Sequence, residues 1–180
     1  LKDLSDSEKE NWNILSLRYF NPIGAHHSGM LGEEPKGIPN NIFPILLNSL
    51  AKKKQIYIFG NDWPTLDGTC VRDYIHIEDL ADGHIAALEA IISKKIGYLN
   101  INLGTGKGTS VLELIKTFEK VNGVKVKYKY SNRRVGDCPI LIADNSLAIK
   151  TLQWIPKRDL ESICKDGFNW FKCNRKSCSK

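Results

Sequence analysis

The sequence predicts an α/β fold, and three observations lead there. Short apolar runs bounded by Gly, Pro and Asn alternate with segments whose apolar residues recur at helical spacing. The two kinds of segment interleave with no internal repeat. With 42% hydrophobic content, 180 residues suffice for one domain with a real core and hardly for two. The strands are too few and too short for a complete doubly wound domain.

Ile14 to Phe20 is the first strand candidate, apolar except for Ser16 and Arg18, and Asn21-Pro22 with Gly24 is expected to stop it. His26 to Pro39, with Gly29, Gly32, Gly37 and Pro35, reads as a long loop. Asn40 or Asn41 is placed to cap a helix whose Ile42, Ile45, Leu46 and Leu50 share a face. Pro44 falls in its first turn, where a missing N–H costs little. Ile56 to Phe59 is a short strand, Gly60 to Thr69 a turn-rich loop, and Val71 to Ile75 a second extended piece. The next helix is long. Ile77, Leu80, Ala81, Ile85, Leu88 and Ile92 are expected to form its core face, with Glu78 and Asp79 near its positive end.

Tyr98 to Leu103 is a strand, followed by a glycine turn. The capping box Ser110-x-x-Glu113 opens a helix with Val111, Leu114, Ile115 and Phe118 on one side. Val124 to Tyr130 alternates apolar residues with Lys125, Lys127 and Lys129, the pattern of a half-buried strand with a lysine-rich outer face. A loop with Arg133-Arg134, a short helix over Ser146 to Leu152 and a last helix from Asp159 complete the chain.

The net charge of +6 is spread over Lys52 to Lys54, Lys94-Lys95 and the tail Arg175 to Lys180. These short runs read as solvated helix ends, so nucleic acid is not an expected partner. No run approaches ~18 consecutive apolar residues, so neither is a membrane. Leu1 to Glu10 has no apolar stretch of a secretory leader. Residue 1 is not Met, so the chain is expected to open after processing or inside a longer protein. Cys70, Cys138, Cys164, Cys173 and Cys178 show no zinc spacing and read as reduced thiols of a cytoplasmic protein.

Gly104-Thr105-Gly106-Lys107-Gly108 lies between strand and helix but lacks the Ser or Thr a phosphate loop needs after Gly-Lys. Thr109 stands where a dinucleotide fingerprint needs its third Gly. It therefore reads as a tight turn. His26, His27, His76 and His84 form no metal-binding helix pair, and no metal is expected from spacing. Arg72, in an extended apolar context, is either paired with a carboxylate such as Asp73 or turned toward a ligand. Two guanidinium groups from different segments could clamp a diphosphate. Asn41 serves equally as a helix cap and as part of a helix N-terminus that favours an anion.

Several segments, taken in order, resemble the UDP-glucose 4-epimerase (UDP-galactose 4-epimerase) family of extended short-chain dehydrogenase/reductases. They are Leu17-Arg18-Tyr19-Phe20-Asn21-Pro22, Gly37-Ile38-Pro39-Asn40-Asn41, Phe59-Gly60-Asn61-Asp62, and Asp67-Gly68-Thr69 with Arg72-Asp73-Tyr74-Ile75-His76. Asn102-Leu103-Gly104-Thr105-Gly106 and Arg133-Arg134-x-Gly136-Asp137 continue the series. The resemblance implies an NAD-dependent isomerase that interconverts UDP-galactose and UDP-glucose through a 4-keto sugar. It implies that residues 1–180 are the C-terminal UDP-sugar-binding part, with 11–24 and 76–104 contributing to an incomplete Rossmann sheet. The family's glycine-rich NAD fingerprint, Tyr-x-x-x-Lys pair and homodimer helices then fall upstream, and this chain carries no catalytic residue.

By the same resemblance, Tyr19 and Phe20 lie beside the nicotinamide and Asn21 beside the sugar. Asn40, Asn41 and Ile42 meet the diphosphate, and the backbone of Tyr57, Ile58 and Phe59 meets uracil. Arg72 and Arg134 clamp the phosphates, Asp137 accepts ribose hydroxyls, and Arg133 faces solvent. Leu141 matches a position beside the sugar ring, or else packs in the core near Ile140 and Ile142. A stand-alone UDP-sugar-binding module, or another extended nucleotide-sugar enzyme such as a decarboxylase or dehydratase, would share several of these segments.

Overall fold

The computed structural model describes residues 1–8 and 11–177, with side chains as far as residue 174. Lys9 and Glu10 of the charged opening stretch, and the side chains of the basic tail with Cys178, lie outside the described residues. The elements are α1 (Lys2–Ser7), β1 (Ile14–Tyr19), β2 (Asn21–Ile23), α2 (Ile42–Lys52), β3 (Ile56–Phe59), β4 (Val71–Arg72), β5 (Tyr74–His76) and α3 (Ile77–Ser93). There follow β6 (Tyr98–Leu103), β7 (Thr109–Ser110), α4 (Val111–Asn122), β8 (Tyr128–Ser131), β9 (Ile140–Leu141), α5 (Ser146–Leu152) and α6 (Leu160–Ser177). The α/β class expected from the sequence is what the chain adopts. Parallel pairs β1–β6, β2–β5 and β3–β8 are joined by a mixed sheet β7–β4–β9.

The first strand ends at Tyr19, before Asn21-Pro22 as read, but the chain does not turn there. Phe20 donates its N–H to Leu103 O at 3.2 Å, and Asn21 donates to Asp73 O at 2.9 Å. The chain thus stays extended while its partner changes from β6 to β5. Pro22 is tolerated because a three-residue strand needs few ladder bonds. The loop after Gly24 and the Ser110–Glu113 capping box form as read, with both reciprocal hydrogen bonds of the box present. The glycine turn is organised by the buried Asp73 carboxylate, which accepts from Thr105 N, Thr105 Oγ1 and Gly106 N at 2.6–2.9 Å.

Two hydrophobic clusters result. The larger gathers Phe43, Leu46, Ile58, Leu114, Phe118 and Ile163 from α2, β3, α4 and α6. The smaller gathers Ile75, Leu80, Ala87, Ile101, Leu103, Ala148 and Trp154 around β6, α3 and α5. Asp79 ties α3 to the segment before α6. It accepts from the N–H groups of Lys157 and Arg158 at 3.1 and 2.9 Å and from the Arg158 guanidinium at 2.6 Å.

The core face of α3 is not the one its periodicity predicts. Leu80, Gly83, Ala87 and Ala90 are buried, whereas Ile77, Ile85, Leu88 and Ile92 are exposed, the last at 77%. The helix has two apolar faces, and the smaller side chains face the sheet because the approach is close. A Cβ on Gly83 would stand 3.2 Å from both Leu103 and Trp154. On α2 the buried face is centred on Phe43, Leu46 and Leu47, with Ile42, Ile45 and Leu50 flanking it. β8 starts at Tyr128, and only Val126 of the alternating segment is well buried. Tyr128 and Tyr130 instead pack edge to face on the outside, centroids 5.9 Å apart. Helix α1, in the charged opening stretch, has no counterpart in the sequence reading.

Candidate functional site

β2, the start of α2, β3 and β4 converge with the 133–137 loop on a cavity of about 420 Å³. Phe20 lines it from the link between β1 and β2, Asn21 from the start of β2, and Asn40, Asn41 and Ile42 from the start of α2. Asn41 occupies the cap position, but its side chain caps nothing. Its Nδ2 donates to Pro22 O at 3.1 Å. The first N–H groups of α2 therefore have no side-chain acceptor from the cap and stay at the positive end of the helix dipole.

β3 pairs with β8 along one edge, and its Tyr57, Ile58 and Phe59 border the cavity. Ile58 is buried in the core and offers the cavity little more than backbone. The Phe59 carbonyl already accepts from Trp63 Nε1 at 3.1 Å. Tyr57 is half exposed, its hydroxyl accepting from Gln55 Nε2 at 3.2 Å.

The charged wall is built around one carboxylate. Arg72 donates to the carbonyls of Val71 and Cys138, both at 2.9 Å, and to Asp137 Oδ1 at 3.3 Å. Arg134 donates to the same oxygen at 3.0 Å. Gly136, at φ +88°, lets the loop turn so that Asp137 N returns to Arg134 O. Asp137 thus holds two guanidinium groups side by side with one positive charge in excess, and both bonds go to its Oδ1 rather than its Oδ2. Of the two alternatives for Arg72, Asp73 is not the partner, because its carboxylate is spent on the glycine turn. Arg133 does not simply face solvent. Its Nε pairs with Asp62 at 2.8 Å and its guanidinium lies 4.2 Å over the Trp63 ring.

Two expected residues lie outside this cavity. Tyr19 is half exposed, with its hydroxyl 2.7 Å from His84 Nε2. Leu141 pairs in register with Arg72, and together with Ile140 and Ile142 it is exposed, so it does not pack in a core. The cavity also takes Cys70 and Tyr74, which sequence reasoning did not single out. Burial pushes the Cys70 thiol and the Tyr74 phenol up, so both stay neutral at ordinary pH. The two-residue spacing of 70, 72 and 74 along an extended segment was the available signal.

A parallel α/β scaffold with a cationic, helix-capped cleft is the setting in which nucleotide-type ligands bind. The chain belongs to the NAD dependent epimerase/dehydratase family, whose pattern residues 4–104 match. It is 49% identical over 175 residues to the UDP-glucose 4-epimerase of Bacillus subtilis, covering 97% of this chain and 51% of that one. It is 48% identical to the bifunctional UDP-glucose 4-epimerase and UDP-xylose 4-epimerase 3 of Arabidopsis thaliana, covering 96% and 50%. Among solved structures it superposes on the Stenotrophomonas maltophila UDP-glucose-4-epimerase with bound NAD and formylated UDP-arabinopyranose, at TM-score 0.93 and 41% identity over 97% of this chain and 52% of that one. The Bifidobacterium longum UDP-glucose 4-epimerase in complex with NAD+ and UDP matches at TM-score 0.87 and 42% identity, again over 97% and 52%. The chain spans about half the length of the relatives it matches.

Proposed function

We propose that this chain is the C-terminal, UDP-sugar-binding half of an NAD-dependent UDP-glucose 4-epimerase that interconverts UDP-galactose and UDP-glucose through a 4-keto sugar. The observation that carries this reading is the pair Arg72 and Arg134 on Asp137, facing the uncapped start of α2 across one cleft. A diphosphate carries two anionic groups, and the cleft offers two guanidinium forks and a helix N-terminus. Asp137 Oδ2 is placed for a sugar hydroxyl, and the exposed edge and rings of β3 for a flat base. Leu141, beside Arg72 in the sheet, is the residue through which this chain would limit the size of the sugar's substituents.

The fit to NAD is partial. Tyr19 and Phe20 stand at the C-terminal end of a parallel strand, where open sheets place such a group. The glycine turn is closed to its pyrophosphate, because Asp73 takes the N–H groups of Thr105 and Gly106. These two residues would therefore border the nicotinamide side only, and the remaining contacts come from outside this chain. When bound, NAD supplies the hydride acceptor and donor for the sugar C4. This chain's residues hold and orient the UDP moiety, while the general base would come from the other half of the full-length protein. The full-length protein would be a cytoplasmic homodimer joined through that other half. Among the described residues no helix is long and apolar enough to cross a membrane. The test is product analysis with UDP-galactose and NAD in the full-length protein. A decarboxylated or dehydrated product, or UDP binding with no turnover, would reject the epimerase reading.

A further inference from the structure

A second cavity, of about 510 Å³, adjoins the first through Pro22 and Asn41. His26 and Glu78 line it, and His27 joins them from outside its lining. His26 Nε2 lies 3.3 Å and His27 Nδ1 2.8 Å from the same oxygen, Glu78 Oε1. All three donor atoms lie within 4.8 Å of one another. The histidines belong to the long loop after β2, and Glu78 to the first turn of α3. We propose that His26, His27 and Glu78 form a binding site for a divalent metal ion of the zinc class, with water in the fourth position. This inference is independent of the reading of the UDP cleft.

The chemistry and spacing favour it. Two imidazole nitrogens and a carboxylate oxygen are a zinc donor set, and ligands about 2.0–2.1 Å from a tetrahedral metal stand roughly 3.3 Å apart. The His26–Glu78 separation already has that value. The His27–Glu78 hydrogen bond must open by about half an ångström, which its 68% exposed side chain can follow. His27 Nδ1 is hydrogen-bonded to Glu78 Oε1, and His26 Nε2 faces the same oxygen. For Nε2 to ligate, the His26 proton must sit on Nδ1, where Ser28 Oγ, 2.8 Å away, can accept it at the cost of the bond that Nδ1 accepts from Ser28 N at 3.3 Å; His27 ligates through Nδ1 with its proton on Nε2. Glu78 Oε2 faces Arg158 Nε at 3.1 Å, which turns Oε1 toward the histidines as an outer-shell partner does. The Arg158 charge is itself balanced by Asp79 and Asp82. The neighbouring His76 is not a ligand. Its Nδ1 accepts from Glu78 N at 3.0 Å, so its proton sits on Nε2, facing Asp166 at 3.4 Å. Such an ion would fasten the loop to α3 beside the cleft.

The test is calorimetric titration of the tag-free, chelator-treated full-length protein with zinc chloride, and with cobalt(II) for its visible spectrum. One saturable site per chain is expected, with d–d bands of nitrogen and oxygen ligation and no thiolate charge-transfer band. His27→Ala, an exposed position that should not disturb folding, and Glu78→Gln should each weaken zinc by more than about tenfold, the scale on which even outer-shell changes act. His84→Ala, whose ring faces Tyr19 elsewhere, should leave the affinity unchanged. Absence of stoichiometric binding, a thiolate band, or zinc affinity indifferent to His27→Ala and Glu78→Gln would overturn the assignment.

Discussion

Removing the Arg72 guanidinium from the full-length protein should weaken UDP binding more than removing that of Arg134, and both far more than removing that of Arg133. A hydrogen bond to a charged group is worth about 1.5–3 kcal/mol, which is roughly 10- to 150-fold in Kd. Arg72 has a side chain only 14% exposed and is fixed by two carbonyls and Asp137, so it arrives oriented and little screened. Arg72→Ala therefore belongs near the upper end, about 100-fold. Arg134 is 55% exposed and has one hydrogen-bond partner, so water discounts it toward the lower end, about tenfold. Arg133 is held away by Asp62 and Trp63, and its loss should change UDP affinity less than about fivefold while costing ~0–1 kcal/mol of stability. Arg72→Lys keeps the charge but not the fork and should fall between wild type and Arg72→Ala. Calorimetry of UDP at low and high salt gives all four affinities. If Arg133→Ala causes the largest loss, or Arg72→Ala none, the diphosphate does not sit on the Asp137 pair.

The 180-residue chain by itself should not epimerise UDP-galactose even with added NAD, since loss of a general base alone forfeits about 10²–10⁴-fold; thin-layer or NMR product analysis showing conversion near the full-length rate would contradict this. Gly167→Ala should destabilise by about 1–3 kcal/mol in urea melts although helix propensity favours Ala by up to ~1, because the new Cβ would overlap the Phe43 ring. At Asp159 the backbone N–H and hydroxyl of Ser162 hold the carboxyl below its usual range. Its folded pKa is depressed, so its contribution is complete above the unfolded value near ~4 and is lost as pH falls through the folded one. Asp159→Asn should accordingly flatten stability against pH below about 4, and an unchanged slope would remove this cap from the acid response.

The cleft was legible because its chemistry lies in short segments. Arg72, Arg134 and Asp137 stand in short motifs that the family resemblance picks out, and a capping box is local by construction of its hydrogen bonds. What failed was decided by distance and size. Periodicity saw the large aliphatics of α3 but not that Gly83 has to pass Leu103 and Trp154, a fact set by the sheet. Nothing local says that Asn41 gives its amide to Pro22 rather than to its own helix. The convergence of His26 and His27 on Glu78 crosses 51 residues, so no spacing rule reports it. The Val124 to Tyr130 alternation was real, but no second layer covers the tyrosines, so the pattern marks an edge and not a half-buried strand.

The separation of the hydrophobic residues into two clusters divides the cooperativity of the molecule. Amides of α2 and α4 sit on the larger cluster and should exchange with solvent only when most of the structure is lost. Those of α3 and β6 depend on a smaller cluster, on a helix that turns its large aliphatics outward, and on the Asp79–Arg158 clasp. That part can open sub-globally at a lower free energy. The walls of the cleft, Ile58, Tyr74 and Val111, pack with the larger unit. The proposed nucleotide cleft is therefore expected to be the last part to melt, and a ligand bound there would stabilise the unit that least needs it.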